Sequence, residues 1–258
     1  MREVCDLENI RYFQKGKRAV AELLFPPRCV ICDEIQPISG KGESGLVGNY
    51  VCGKCRSYLA YTGTQVCQKC GKPLSNERVE YCPDCRKRPH AFTQGKGIWR
   101  YQGVMQKSLY RFKYSNRRTY ADFYGMEAAR LYGSWIRACK IEAIVPIPLH
   151  PKKYRQRGYN QAELFARVLG RQMEIPIRTD LLQRIVYTNP QKELDRAERR
   201  KNLKKALKVS ENDVKLNYIL LVDDIYTTGS TMDAAAEEFL ARGAKRIYFL
   251  TIGMGEGY

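Results

Sequence analysis

Histidine is nearly absent from this chain. Of 258 residues only His90 and His150 are histidines, and neither has a second one nearby, so histidine-paired metal sites and serine–histidine triads have little to build on. No apolar run approaches the roughly 20 residues that a membrane-spanning helix needs, and the opening Met1-Arg2-Glu3-Val4-Cys5-Asp6 lacks a signal-peptide core. A cytoplasmic location is implied, with a peripheral place at the inner face of the membrane as the alternative. Acids are also in short supply: 27 Asp and Glu stand against 45 Lys and Arg, a net charge of +18 that suits a polyanionic partner. The hydrophobic fraction of 44% is ordinary for a soluble domain, and the length allows one substantial core plus a small module.

Cysteine, by contrast, is plentiful. Eight of the ten form C-x-x-C pairs, Cys29/Cys32, Cys52/Cys55, Cys67/Cys70 and Cys82/Cys85. In a reducing compartment such a ladder reads as metal ligands rather than disulfides. Two knuckles complete one tetrahedral Zn²⁺ site, so four predict two structural zinc ions. Chain order suggests Cys29, Cys32, Cys52 and Cys55 on one and Cys67, Cys70, Cys82 and Cys85 on the other; an interleaved pairing stays open. Gly53, Gly71 and Pro83 fall where the knuckles need tight turns. The intervening Ser39-Gly40-Lys41-Gly42-Glu43-Ser44-Gly45 has no apolar periodicity, so metal must supply folding energy here. Cys5 and Cys139 lack partners at ligand spacing, and Cys139 reads as packing.

The chemistry-bearing segment lies further on. The apolar run Tyr218–Val222 predicts a strand, Asp223 and Asp224 end it, and Thr227-Thr228-Gly229-Ser230-Thr231 follow. Met232, Ala235, Ala236, Phe239 and Leu240 then recur at helical spacing up to Gly243. A helix opening near Ser230 offers unpaired amides and the positive end of its dipole to a phosphate, while hydroxyls and a close backbone approach at Gly229 add to the cradle. Two carboxylates beside a phosphate need a reason: ribose hydroxyls can donate to them, and Mg²⁺ can offset their charge.

The string Val222–Thr231 resembles the phosphoribosyl diphosphate (PRPP) motif of type I phosphoribosyltransferases. With Leu24-Phe25-Pro26-Pro27-Arg28-Cys29, Val145-Pro146-Ile147-Pro148-Leu149-His150, Arg157-Gly158-Tyr159-Asn160-Gln161-Ala162, Asn189-Pro190-Gln191 and Ala197-Glu198-Arg199-Arg200-Lys201-Asn202-Leu203, the chain as a whole resembles the ComF (ComFC-like) competence family. The resemblance implies that Asp223 and Asp224 contact the PRPP ribose with Mg²⁺ and that Thr227, Thr228, Gly229, Ser230 and Thr231 hold its 5′-phosphate. It also implies a diphosphate loop with Pro146, Pro148, His150 and Arg157. Lys152 and Lys153 are equally well explained as a solvated basic turn, and Asn160 and Gln161 as ligand or helix-cap groups. Residues Arg184–Lys208 carry nine basic residues against three acids and resemble the flexible catalytic loop of amidotransferase-type relatives; an exposed basic helix is the alternative. Gln191, Arg199 and Asn202 match the family pattern there, the first two as catalytic candidates. No glutaminase domain is expected, so ammonia and a nucleobase both remain as acceptors.

Short strands at Gly97–Tyr101, Ile141–Pro146, Tyr218–Val222 and Lys245–Ile252 alternate with helices at Met105–Phe112, Tyr120–Trp135 and Gln161–Met173, the second with a stripe of Tyr120, Tyr124, Ala128, Leu131 and Trp135. The expected fold is α/β, type I phosphoribosyltransferase-like: a mostly parallel sheet with helices on both faces, preceded by a small zinc-ribbon module with four cysteines to each metal. Expected boundaries are a helical lead-in at 1–28, a double zinc ribbon at 29–88 and the transferase-like domain at 92–258, with the junction near Arg88-Pro89-His90-Ala91. Two classes of function compete. One is a metabolic PRPP-dependent phosphoribosyltransferase, a pentosyltransferase. The other, implied by the resemblance, is a role in DNA uptake and natural transformation, with a competence helicase or other DNA-processing protein as partner. Two zinc–thiolate centres would lower the net charge only to about +14. Arg100–Arg118 has six basic residues and no acids, interleaved with Tyr101, Tyr110, Phe112 and Tyr114, a pattern that suits stacking of single-stranded DNA. Helical spacing also allows Leu109, Phe112 and Tyr110 to be core.

Overall fold

The computed structural model describes residues 26–36, 50–185, 206–210 and 215–255, in two compact units, Met1–Tyr58 and Leu59–Tyr258. In chain order the elements are α1 (Gly53–Arg56), α2 (Pro83–Lys87), β1 (Gln94–Arg100), α3 (Gly103–Tyr114), α4 (Tyr120–Ala138), β2 (Ala143–Pro146), α5 (Pro151–Arg157), α6 (Gln161–Met173), β3 (Leu182–Arg184), β4 (Leu207–Val209), β5 (Tyr218–Tyr226), α7 (Ser230–Leu240) and β6 (Arg246–Met254).

In the second unit a four-stranded sheet runs in the order β1-β6-β5-β2 with every pairing parallel. Parallel strands need crossover connections, and helices supply them. Side chains alternate along each strand, so Ile219 and Leu221 of β5 join Ile247 and Phe249 of β6 on one face. There they pack with Phe239 and Met232 of α7 and with Leu182, Leu207 and Val209 of the antiparallel β3–β4 pair. The other face lies under α6 and α4, which pack on each other and reach β5, β2 and β1. Burying strands on both sides accounts for their continuous apolar runs.

Element boundaries differ from the periodicity reading at instructive places. β1 starts at Gln94 rather than Gly97, because Gly95 is buried in it without any side chain to mark a strand. β5 runs on through the acidic pair to Tyr226, since Asp223 and Ile225 still pair with Thr251 and Gly253 of β6. In α4 the expected stripe holds at Tyr120, Tyr124 and Ala128, but Leu131 is 37% exposed. Trp135 is only partly buried, donates from Nε1 to Gln94 Oε1 at 2.8 Å and meets Tyr248 edge-on.

Each cysteine group is built alike. A turn supplies one pair and a short helix the other: Cys52 and Cys82 cap α1 and α2, so Gly53 and Pro83 open helices rather than turns. The turn knuckle is tied to the helical one by Val30 N donating to Tyr50 O in the first group and Gln68 N to Glu80 O in the second. The residue after each turn knuckle is left-handed, Asp33 at φ 68° and Gly71 at φ 77°. Only glycine fits at 71, because a Cβ there would come within 2.6 Å of Gly95 O.

Candidate functional site

Zinc ligation is read from the sulfurs. Cys29, Cys32, Cys52 and Cys55 form one group and Cys67, Cys70, Cys82 and Cys85 the other, with the Sγ atoms of each group all within 4.8 Å of one another; the pairing follows chain order. Hydrogen bonds from Cys70, Cys82 and Cys85 drive the Cys67 thiol pKa down, while contacts within the same group drive Cys85 up. Four thiols competing for protons at this spacing fit a tetrahedral dication. The second group belongs to the sheet's own core: Cys67, Cys70 and Cys82 pack with Phe92, Phe249 and Tyr226.

The acidic pair sits at the carboxyl end of β5, where parallel sheets bind ligands. Asp224 N donates to Asp223 Oδ1 at 2.8 Å. Burial, then the charge of Asp224, pushes the Asp223 carboxyl up to about 7, against the pull of Lys113 and Arg184. Asp224 forms an ion pair at 2.9 Å with Lys113 of α3, both side chains mostly buried. Burial works against that ammonium, yet Asp224 and Asp223 outweigh it and raise its pKa. Burial, then Arg184, Arg157 and Lys113, lowers Lys153, and burial, then Arg184, Arg155 and Lys153, lowers His150. Cations from α3, α5 and β3 thus crowd around two carboxylates, a field that a bound polyanion relieves.

Beyond the pair the chain turns sharply. Gly229 adopts φ 80° and a Cβ there would fall 2.5 Å from the Tyr226 hydroxyl oxygen, so the position requires glycine. α7 starts at Ser230, with Asp233 N donating back to Gly229 O. Thr227 is exposed, Thr228 and Thr231 are partly buried, and Ser230 is buried with Oγ 3.1 Å from Thr228 Oγ1. Two hydroxyls and the first amides of an eleven-residue helix therefore line one turn.

The segment after β2 is helical rather than a loop. Pro151 at the first helical position, His150 Nδ1 accepting from Lys152 N at 3.1 Å, and left-handed Gly158 at the end define α5. Pro146 ends β2 and Ile147 N donates to Val222 O, which holds this segment beside the acidic strand. Asn160 is a helix cap: Oδ1 accepts from Ala162 N and Nδ2 donates to Ile147 O at 3.0 Å. Gln161 Oε1 accepts from Arg157 Nη1, and Arg157 Nη2 donates to the Tyr114 hydroxyl with the guanidinium 4.7 Å over that ring.

Comparison with known proteins matches these features. A double zinc ribbon domain model covers residues 20–86 and a phosphoribosyl transferase domain model residues 160–253. The chain is 39% identical over 108 residues to competence protein F of Haemophilus influenzae, covering 41% of this chain and 47% of that protein. It is 28% identical over 151 residues to competence protein ComFC of Bacillus subtilis, covering 58% and 59%. The DNA utilization protein YhgH of Escherichia coli K12 is 32% identical over 106 residues, covering 41% and 46%. The chain thus matches a double zinc ribbon followed by a phosphoribosyl transferase domain and is similar to competence and DNA utilization proteins. It spans about half the length of the curated relatives it matches. Among solved structures, adenine phosphoribosyltransferase from Leishmania tarentolae overlays with a TM-score of 0.31 at 13% identity, covering 51% of this chain and 71% of that one.

Of the residues singled out from sequence, Asp223, Asp224, Thr227–Thr231, Pro146 and Pro148 meet at this end of the sheet with the α5–α6 segment. Gln191, Arg199 and Asn202 lie outside the described residues, as do the lead-in up to residue 25 and Ser39–Gly45. Lys113 is the residue that sequence reasoning misses at this site; its place beside Asp224 arises from contact between α3 and β5, which no local pattern announces. In the Arg100–Arg118 stretch Phe112 and Leu109 are fully buried, so they are core rather than stacking groups. Tyr110 and Tyr114 are 63% and 53% exposed with rings 4.9 Å apart. With Tyr101, Lys107, Arg111 and Lys113 they line a groove of about 720 Å³.

Proposed function

We propose that the unit Leu59–Tyr258 binds Mg²⁺ and PRPP and catalyses phosphoribosyl transfer. One observation carries the reading: a partly exposed pair of carboxylates stands between a hydroxyl-lined helix start and a cluster of cations. The turn Thr227–Thr231 takes the 5′-phosphate, Asp223 and Asp224 accept from the ribose hydroxyls, and Lys113, Lys153, Arg157 and Arg184 face the diphosphate. Asp223 and Asp224 would hold Mg²⁺, which would supply positive charge to offset that of the departing diphosphate. In the transfer an acceptor lone pair forms the bond to the anomeric carbon as the carbon–oxygen bond to diphosphate breaks, and the acceptor gives up its proton. Positive charge on the sugar is stabilised by the acids, negative charge on the leaving group by the cations. Release of diphosphate from PRPP, with and without ammonia or free nucleobases, tests turnover.

The Asp223 pKa adds a pH test. A carboxyl raised to about 7 in the folded protein is protonated below that value, so it supports folding of the free protein below the ordinary carboxylate range. That contribution is lost as pH rises through about 7. Ligand hydroxyls and Mg²⁺ want the ionised form. PRPP affinity therefore rises from pH 6 to pH 8, with proton release in calorimetry that disappears in Asp223→Asn. A flat profile in the unsubstituted protein removes Asp223 from the ligand set.

The competence and DNA utilization names of the relatives, together with the tyrosine–cation groove on α3, support a role in DNA uptake with single-stranded DNA on that groove. Exposed aromatic faces accept bases and Lys107 and Arg111 the backbone. Tyr110→Ala with Tyr114→Ala is expected to weaken oligothymidylate binding by about 10-fold or more, since each stacked base contributes on the order of 1–3 kcal/mol. Affinity should fall steeply with added salt. Fluorescence anisotropy checks both, and a salt-independent affinity overturns the groove assignment. A metabolic transferase without DNA binding is then the reading that stands.

A further inference from the structure

Arg88 caps the C-terminus of α2, three residues after Cys85, and its backbone N donates to Asp84 O. Its side chain crosses to the phosphate turn: Nη2 donates to the Thr228 carbonyl at 2.6 Å and lies 3.4 Å from Asp233 Oδ2. Asp233 stands in the first turn of α7 with its side chain 1% exposed. It is enclosed by the stretch that follows the last cysteine pair: His90 Nδ1 lies 2.8 Å from Oδ2 and Ala91 N donates to Oδ1 at 3.1 Å. Tyr226, which lies under Gly229, packs in one core with Cys67, Cys70 and Cys82, and Lys72 sits 5.9 Å over its ring.

A carboxylate in the first turn of the helix that receives a phosphate would oppose that phosphate unless its charge were compensated. Arg88 shares that task with the His90 ring and the Ala91 amide, and it also holds the Thr228 carbonyl, so across the planar trans peptide the Gly229 N–H points away from the guanidinium. We infer that Arg88 is a positioning residue of the phosphate turn, and that the Cys67/Cys70/Cys82/Cys85 centre, by anchoring α2, sets the affinity of this turn for a ribose 5-phosphate group. The inference rests on the PRPP reading above and adds to it a connection between one cysteine centre and the sugar-phosphate subsite.

Calorimetry with three probes tests it, on the full chain and on Arg88→Ala and Arg88→Lys: Mg²⁺–PRPP, ribose 5-phosphate, and inorganic diphosphate. In Arg88→Ala both sugar phosphates weaken by about tenfold or more and by a similar factor, as expected for loss of a charge-assisted contact at the subsite they share. Diphosphate, held by the cation cluster, keeps its affinity, and the zinc content is unchanged. Arg88→Lys, which keeps the charge on a shorter side chain, falls between; if Arg88→Ala does not fold, this variant decides by weakening the sugar phosphates alone. Equal affinities for ribose 5-phosphate in all three proteins overturn the inference, and so does a parallel loss of diphosphate, which would mark Arg88 as a general support of the fold. If the unsubstituted chain binds diphosphate but neither sugar phosphate, it is the PRPP reading that fails. Coupling is reciprocal, so in cobalt-substituted protein the thiolate-to-metal bands shift on saturation with ribose 5-phosphate, and not in Arg88→Ala. An unchanged spectrum in the parent removes the metal centre from the inference.

Discussion

Replacing Asp223 and Asp224 together by asparagine is expected to abolish measurable PRPP binding while the zinc content stays unchanged. Each carboxylate that accepts from a ribose hydroxyl or holds Mg²⁺ is worth on the order of 1.5–3 kcal/mol as a charge-assisted contact, so losing both weakens binding by roughly 10²–10⁴-fold. The single variants separate binding from folding. Asp223 is crowded by burial and by its neighbour's charge, so Asp223→Asn removes a repulsion and raises the thermal unfolding midpoint. Asp224→Asn instead deprives mostly buried Lys113 of its 2.9 Å partner and lowers the midpoint, because an unpaired buried charge is costly. Calorimetry and thermal melts on the two single variants and the double one check this. Unchanged PRPP affinity in the double variant rejects the site.

The contrast between crowded Asp223 and paired Asp224 lies beyond what local sequence patterns specify. α6 is found at Gln161–Met173, as the apolar spacing predicts, and α7 opens at Ser230 after a left-handed Gly229. Periodicity and caps are local, and local rules suffice for them. The α5 helix carries its own signals, proline at the first position and glycine past the last, yet its run of cations reads more readily as a basic loop. Lys113 is different in kind. It sits in a basic run that suits nucleic acid, and nothing within a dozen residues of it indicates that the sheet order β1-β6-β5 brings the helix after β1 to Asp224. Arg88-Pro89-His90-Ala91 likewise reads as a junction between modules, since it has neither periodicity nor cysteines. In the fold, Arg88, His90 and Ala91 all bond to Asp233, some 140 residues away in sequence. Buried polar contacts of this kind are set by topology and leave no periodic trace.

The same nonlocal packing makes the second cysteine group the more damaging place to lose a metal ligand. Cys70 is 0% exposed and shares the core of the sheet with Phe92, Tyr226 and Phe249. Structural zinc centres contribute apparent binding energies of about 10–16 kcal/mol to folding, as large as the roughly 5–15 kcal/mol by which whole domains are stable. Weakening that centre cannot stay local, because the thiols it leaves behind are enclosed by the aromatic rings that carry β6 and α7. Cys70→Ala is therefore expected to lower bound zinc by one ion per chain and to abolish the cooperative unfolding transition of the sheet at physiological temperature. Cys139→Ser, which alters the partly buried residue capping α4 outside either group, keeps both ions and the transition. Metal analysis and circular dichroism melts on the two variants measure the difference. A Cys70→Ala protein that melts like its parent would show that apolar packing alone holds this face of the sheet, and the dependence of the phosphate turn on the neighbouring metal would lose its structural basis.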